Sequence, residues 1–171
     1  MKLLKIFVLT ILLNYFFLSF SNSEIIKQIK VEGNNRITDE IILMFSDIDL
    51  GQDIKSSKIN EIIKNLYETN FFNDVSVTLE NNLILITVDE APLIDNIVIS
   101  GIKAKKIHKL ITNNFILKRR SSFNNFQLLQ EVNSIESTLK SLGYYFAKVE
   151  PFIETLDNNM VNIEYKIDLG K

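Results

Sequence analysis

Two stretches of this chain match at a fixed offset of 68 residues. Ile26 aligns with Ile94, Ile29 with Ile97, Val31 with Ile99 and Gly33 with Gly101. An internal echo of this kind constrains the fold before anything else does, because each copy must encode one structural unit. Each copy reads as a short β-branched strand that alternates near its end and is stopped by a glycine. The rest of the chain is then two sets of elements that cover those strands.

In the first set, Gly33, Asn34 and Asn35 form a turn. Thr38 is placed as an N-cap, with Asp39 and Glu40 in the first turn where a helix dipole favours acids. Ile41, Ile42, Met44 and Phe45 make a short helix. A second helix, capped near Ser56 or Ser57, carries Ile59, Ile62, Ile63, Leu66 and Tyr67 on one stripe. Asn70 suits a left-handed C-terminal position. A hairpin follows. Val75, Val77 and Leu79 alternate with polar residues, Asn81 and Asn82 turn the chain, and 83–88 is apolar almost throughout. Continuous apolarity signals burial on both faces, whereas alternation signals a half-exposed strand. The expectation is that 83–88 lies mid-sheet, with 75–80 at one edge and 25–31 on the other side.

Asp89, Glu90, Ala91 and Pro92 form the joint between units 24–91 and 92–171. The proline cannot continue a ladder, and so short a connection holds the units in a fairly fixed relation. The second unit repeats the order. It has a strand at 93–99, a short helix at 104–113 and a longer helix at 125–142. The longer helix carries Phe126, Leu129, Val132, Ile135, Leu139 and Leu142, and Gly143 caps it. A strand near 149–155 contains Pro151, which confines it to an edge. Asp157, Asn158 and Asn159 then turn into Val161, Ile163, Tyr165 and Ile167. The fold class expected is α+β, as two tandem β-α-α-β-β modules. Each is a three-stranded mixed sheet with two helices on one face. A unit of about 70 residues buries only about 60% of its unfolded surface, so packing between units would help.

Composition narrows the function. The chain has no cysteine and one histidine, His108. No nucleophile–base pair or metal-ligand set stands out, so the expectation is no enzyme, no cofactor and no metal. Lys2 and Lys5 precede an apolar run from Ile6 to Leu18, and Ser21, Asn22 and Ser23 offer small–x–small. Residues 1–23 therefore read as an export signal cleaved after Ser23, the rival being a membrane anchor. The absence of cysteine excludes lipoprotein processing. Without 1–23 the chain has 17 basic and 21 acidic residues, a net charge of −4. That balance argues against nucleic acid as a partner. His108 reads as a solvated helix histidine and Tyr144, Tyr145 and Phe146 as core. Asp89 and Glu90 point opposite ways and form no acid/base couple. Lys118, Arg119 and Arg120, with Lys103, Lys105, Lys106 and Lys109, make the second unit locally basic. They read as a solvated surface, with a docking patch for acidic partners or lipid head groups as the rival.

The ordered residues Ile26, Ile29, Val31, Gly33 and Asn34, then Leu66, Tyr67, Thr69, Asn70, Phe72, Asp74, Val75 and Val77, then Val88, Glu90 and Pro92, resemble a POTRA domain. Gly143, Tyr144, Ala147 and Val149 resemble the same landmark in a second copy. An exported tandem pair is similar to the periplasmic N-terminus of the BamA family of outer membrane protein assembly factors. Asn70 replaces the glycine of that family, and Gly101 lacks the following asparagine.

The resemblance implies the same β-α-α-β-β fold and a module that receives unfolded outer membrane protein precursors. It also implies docking of periplasmic lipoproteins or chaperones of the assembly machine. The outer membrane itself would be reached only through a C-terminal barrel absent from this chain. A free-standing periplasmic scaffold or chaperone-like protein, and the POTRA part of a two-partner secretion transporter, are the alternatives. A cell-division protein with one such domain is a further family-level rival. An exposed sheet edge is a template for a guest strand. The candidate guest-facing residues are Val75, Ser76, Val77, Thr78 and Leu79 in the first unit. In the second they are Val149, Glu150, Pro151, Phe152 and Ile153, where Pro151 makes the poorer edge.

Overall fold

The computed structural model describes residues 24–170. The expected export signal at 1–23 lies outside the described residues. In chain order the first unit runs β1 (Glu24–Ile25), β2 (Gln28–Glu32), α1 (Asp39–Ser46), β3 (Asp53–Ile54), α2 (Ser56–Glu68), β4 (Phe72–Glu80) and β5 (Leu83–Glu90). The second runs β6 (Leu93–Ser100), α3 (Lys105–Thr112), α4 (Asn125–Ser141), β7 (Lys148–Leu156) and β8 (Met160–Asp168).

Each unit has its own three-stranded mixed sheet, in the order β2-β5-β4 and β6-β8-β7. The first strand of each lies parallel to the central one, and the hairpin partner lies antiparallel. The central strands are 83–90 and 160–168, so both hairpins leave their outgoing arm at a rim. Asn81 and Asn82 turn the first hairpin with φ of 51° and 67°. Two left-handed residues in succession match the twist of a tight hairpin.

The echo at 68 residues has a steric cause. Gly33 and Gly101 sit at φ of +87° and +89°. A Cβ on Gly33 would overlap the carbonyl oxygen of Val88, and one on Gly101 that of Ile167. Both glycines let the chain leave the first strand while crossing tight against the end of the central strand. A second equivalence lies at the start of each unit. The Ile26 amide donates to Gln52 O and its carbonyl accepts from Gly51 N, at 2.9 and 2.8 Å. The Ile94 amide donates to Ser121 O and its carbonyl accepts from Arg120 N, at 2.9 and 2.7 Å. Gly51 and Arg120 are both left-handed, at φ of 87° and 66°.

Two separate cores form. In the first, Ile42, Ile62 and Leu66 from the helices cover Val75, Val77, Ile84, Ile86 and Val88. In the second, Ile111, Leu128, Ile135 and Leu139 cover Val149, Val161, Ile163, Tyr165 and Ile167.

Several sequence expectations are corrected here. The run 83–88 is covered on one face only. Ile84, Ile86 and Val88 are buried, Thr87 is exposed, and Leu83 and Leu85 are half-buried. Leu85 lies between Lys30 and Thr78 in register, so same-face neighbours shelter it without a second layer. The expected single strand over 25–31 is broken at Ile26 and Lys27. β1 pairs with β3 instead, and only β2 joins the main sheet. Lys55, not Ser56 or Ser57, is the N-cap of α2.

The buried stripe of α4 is Leu128, Glu131, Ile135 and Leu139. Phe126, Leu129 and Leu142 are exposed, because the true stripe includes a carboxylate that an apolar pattern skips. Of the aromatic triplet expected in the core, Tyr144 is half-buried, while Tyr145 and Phe146 are 73% and 76% exposed. They stand in the turn before β7, outside the helix and strand faces that line the core.

Candidate functional site

The candidate site in the first unit is the outer rim of β4. Val75, Ser76, Val77, Thr78 and Leu79 pair in turn with Val88, Thr87, Ile86, Leu85 and Ile84 of β5. No strand lies on the other side of β4 among the described residues. In an antiparallel pair, each residue turns both its N–H and its C=O to the same side, and the side alternates along the strand. The Val75 amide donates to the Tyr67 hydroxyl at 3.2 Å, so Val75 faces the open side. Val77 and Leu79 then face it as well, while Ser76 and Thr78 pair with β5. The Val75 and Val77 side chains are buried in the core, which anchors the rim while its backbone stays open.

The sequence marks Tyr67 as part of an apolar stripe and of the POTRA resemblance, with no role at the rim. Its hydroxyl donates to Asp74 Oδ1 at 2.8 Å while accepting from Val75. The bond to Asp74, with partial burial, pushes the phenol above its usual pKa. Tyr67 therefore stoppers the first open amide of the rim, and the open stretch begins at the Val75 carbonyl.

In the second unit Val149, Glu150, Pro151, Phe152 and Ile153 pair with Ile167, Lys166, Tyr165, Glu164 and Ile163 of β8. Pro151 breaks no register. A proline keeps a ladder intact only where its missing N–H lies on the unpaired side, so this rim lacks a donor. Phe152 is 50% exposed on the face away from the helices, with Lys166 Nζ 6.0 Å from its ring centroid. A 580 Å³ groove runs beside it, lined by Val98, Phe152, Ile153 and Glu164 among others. The two sheets also have opposite rims, β2 and β6, which the sequence reading did not single out.

The joint between the units is more ordered than its short length suggests. Glu90 is buried, and one carboxylate oxygen accepts from the amides of Asn35, Arg36 and Ile37, each at 2.8 Å. Arg36 Nε lies 3.5 Å from the other oxygen. Burial alone would raise the Glu90 pKa. The three amides and Arg36 together outweigh it and hold the carboxyl below its ordinary value of 4.5. Among the described residues, two side chains hydrogen-bond across the joint. Asn159 Nδ2 donates to Glu90 O at 2.8 Å, and Asn124 Nδ2 donates to Asn70 Oδ1 at 2.9 Å. Asn124 also caps α4 by accepting from Gln127 N. A 480 Å³ cleft remains at the joint, lined by Arg36, Asn70, Phe71, Ile116 and Arg120 among others. The sequence marks Glu90 only as pointing opposite to Asp89 and as part of the POTRA resemblance. Its three amide partners lie more than fifty positions away in sequence.

Among the described residues no group of three or more His, Cys, Asp or Glu side chains could hold a metal ion. No described helix is long and apolar enough to cross a membrane.

Residues 24–91 and 92–170 each match the POTRA family model, described as surface antigen variable number repeat. The outer membrane protein assembly factor BamA of Neisseria meningitidis serogroup B is 30% identical over 148 residues. The match covers 85% of this chain and 19% of that relative. BamA of Nitratidesulfovibrio vulgaris is 30% identical over 139 residues, covering 79% of this chain and 17% of that relative. This chain thus spans only a small part of each curated relative. The N-terminal domain of Omp85 from Thermosynechococcus elongatus has a similar fold, with a TM-score of 0.58 at 15% identity, over 87% of this chain and 64% of that one. POTRA1-2 of the periplasmic domain of Omp85 from Anabaena matches with a TM-score of 0.54 at 15% identity, over 88% of this chain and 98% of that one. With two family matches in tandem, each enclosing one β-α-α-β-β unit, this chain belongs to the POTRA family.

Proposed function

We propose that this chain is a periplasmic receiving module of an outer membrane β-barrel assembly machine. It binds unfolded outer membrane precursors by strand addition, and it docks periplasmic lipoproteins or chaperones of the machine. Residues 1–23 would direct export and be removed. Similarity to BamA supports the general role. The observation that carries the mechanism is the rim of β4, whose backbone groups at Val77 and Leu79 face outward while the Val77 side chain is buried and that of Leu79 partly buried.

Backbone pairing is indifferent to side-chain identity, which suits a receptor for many precursors. About four or five hydrogen bonds at roughly 0.5–1.5 kcal/mol net each, less the cost of ordering the guest, leave millimolar to high-micromolar binding. Weak, promiscuous binding is what a hand-off requires. The rim of β7, short of one donor at Pro151, is the weaker of the two.

A photo-crosslinker at Thr78, exposed beside the rim, tests the reading. It should capture unfolded precursor in the parent chain and lose it in Val77→Pro. That substitution removes an outward N–H and leaves the β5 ladder its partners. Undiminished capture in a folded Val77→Pro chain would overturn strand addition at β4.

A further inference from the structure

Charge is divided unevenly between the units. Residues 24–91 hold 6 basic and 13 acidic side chains, and residues 92–171 hold 11 basic and 8 acidic. Within the second unit, 96–130 carries seven lysines and arginines and no acid at all. Lys103, Lys105, Lys106, Lys109 and Lys118 are exposed, and none makes an ion pair among the described residues. The first unit behaves differently. Its Lys30, Lys58 and Lys64 are each paired with an acid.

The same segment exposes apolar side chains. Leu110, Phe126 and Leu129 are 39%, 67% and 57% exposed. All belong to the helical layer of the second unit. Ile107, Ile111, Leu117 and Leu128 pack inward on that layer, and the Leu117 amide donates to Glu131 of α4. The outward side of α3, the following loop and the start of α4 therefore mixes unpaired cations with leucine and phenylalanine.

We propose that this helical face docks on an anionic phospholipid surface. Lysine is a mobile point charge on a long apolar stem, suited to a diffuse layer of head groups. An acidic protein would instead call for cations gathered with fixed donors around a shaped pocket, and here they are spread along a helix and two loops. Interleaved apolar side chains match the boundary between head groups and acyl chains. Each cation near such a surface contributes up to about fivefold in affinity. Salt screens exposed charges beyond about 8–10 Å, so the acidic first unit need not cancel the attraction.

The test is co-sedimentation of the full chain with vesicles of phosphatidylcholine, with and without phosphatidylglycerol. Residues 1–23 are the same in every arm. The anionic vesicles should take up more protein, and added salt should release the difference. Replacing Lys103, Lys105, Lys106 and Lys109 with glutamine should weaken that binding at least about tenfold. The matching lysine-to-arginine set should retain it, and Lys27→Gln with Lys55→Gln in the first unit should leave it unchanged. Circular dichroism checks that each variant is folded. Equal binding to both vesicle types, or indifference to the four lysines, would overturn the proposal. So would binding of polyglutamate in place of vesicles, which would assign the face to an acidic protein. The test reads nothing from the β4 rim, so its outcome is separate from that of strand addition.

Discussion

The side-chain amide of Asn159 donates to the backbone carbonyl of Glu90 at 2.8 Å. A hairpin-turn residue of the second POTRA unit is thereby tied to the last strand residue of the first. The Asn159 carbonyl in turn accepts from Leu93 N at 2.9 Å. The joint is fixed by side chains as well as by a short connection. Asn159→Gly keeps the left-handed backbone, at φ of 53° in the parent, and deletes the tie. Combined with Asn70→Gly, which removes the acceptor for Asn124, it should broaden the distance distribution between spin labels on the two units. Each tie is worth about 1 kcal/mol, so both units should remain folded.

Glu90 makes the first unit sensitive to acid. Its folded-state pKa is lowered, so its stabilisation is present above the ordinary carboxyl value and is lost as pH falls through the folded one. Glu90→Gln should cost about 1–3 kcal/mol at neutral pH and almost nothing at a pH below the folded pKa. Urea melts of both chains at the two pH values check this. A cost independent of pH would place the role of Glu90 in shape, not charge.

Glu131 has the opposite sign. It is buried on α4, with Oε2 accepting from the Tyr165 hydroxyl at 3.0 Å and from Leu117 N at 3.3 Å, while Oε1 has no hydrogen-bond partner among the described residues. Burial raises its pKa, and the bonds from Tyr165 and Leu117 only partly offset this. A raised folded pKa means that stabilisation is fully present below the unfolded value of about 4.5. It is lost as pH rises through the folded one. The second unit should therefore weaken toward alkaline pH, and Glu131→Gln should flatten that dependence and stabilise the unit on its alkaline side. Thermal melts across pH read the result.

The two echo glycines should be far less replaceable than Gly51. Gly33→Ala and Gly101→Ala drive a methyl into a central-strand carbonyl as well as straining φ. Each should cost about 3 kcal/mol or more. Gly51→Ala faces open space and bears only the left-handed strain, about 1–2 kcal/mol. Chemical denaturation of the three variants gives the ranking.

Tyr67 predicts a gain of binding. Tyr67→Phe frees the Val75 amide at the β4 rim and should lengthen the guest ladder by one hydrogen bond. Precursor-peptide affinity should rise about two- to tenfold, measured by fluorescence anisotropy. Unchanged affinity would mean that guest strands do not reach Val75.

Much of this architecture was readable from short-range chemistry. Proline, asparagine turns and alternation act through a residue's own backbone and its neighbours. Hence 68-residue repetition, the central position of 83–88, and the edge positions of 75–80 and of the strand near 149–155 all followed from local pattern. The same patterns erred where a distant group decides. Continuous apolarity at 83–88 could not reveal that helices cover one face only, because Leu85 is sheltered by Lys30 and Thr78 across the sheet. Glu131 lay outside the expected apolar stripe, and its partner Tyr165 is 34 positions on. Glu90, Asn159 and Tyr67 hold polar contacts whose partners are set by how the units meet and how a helix crosses a rim. Those partners depend on three-dimensional proximity, which a linear pattern does not carry.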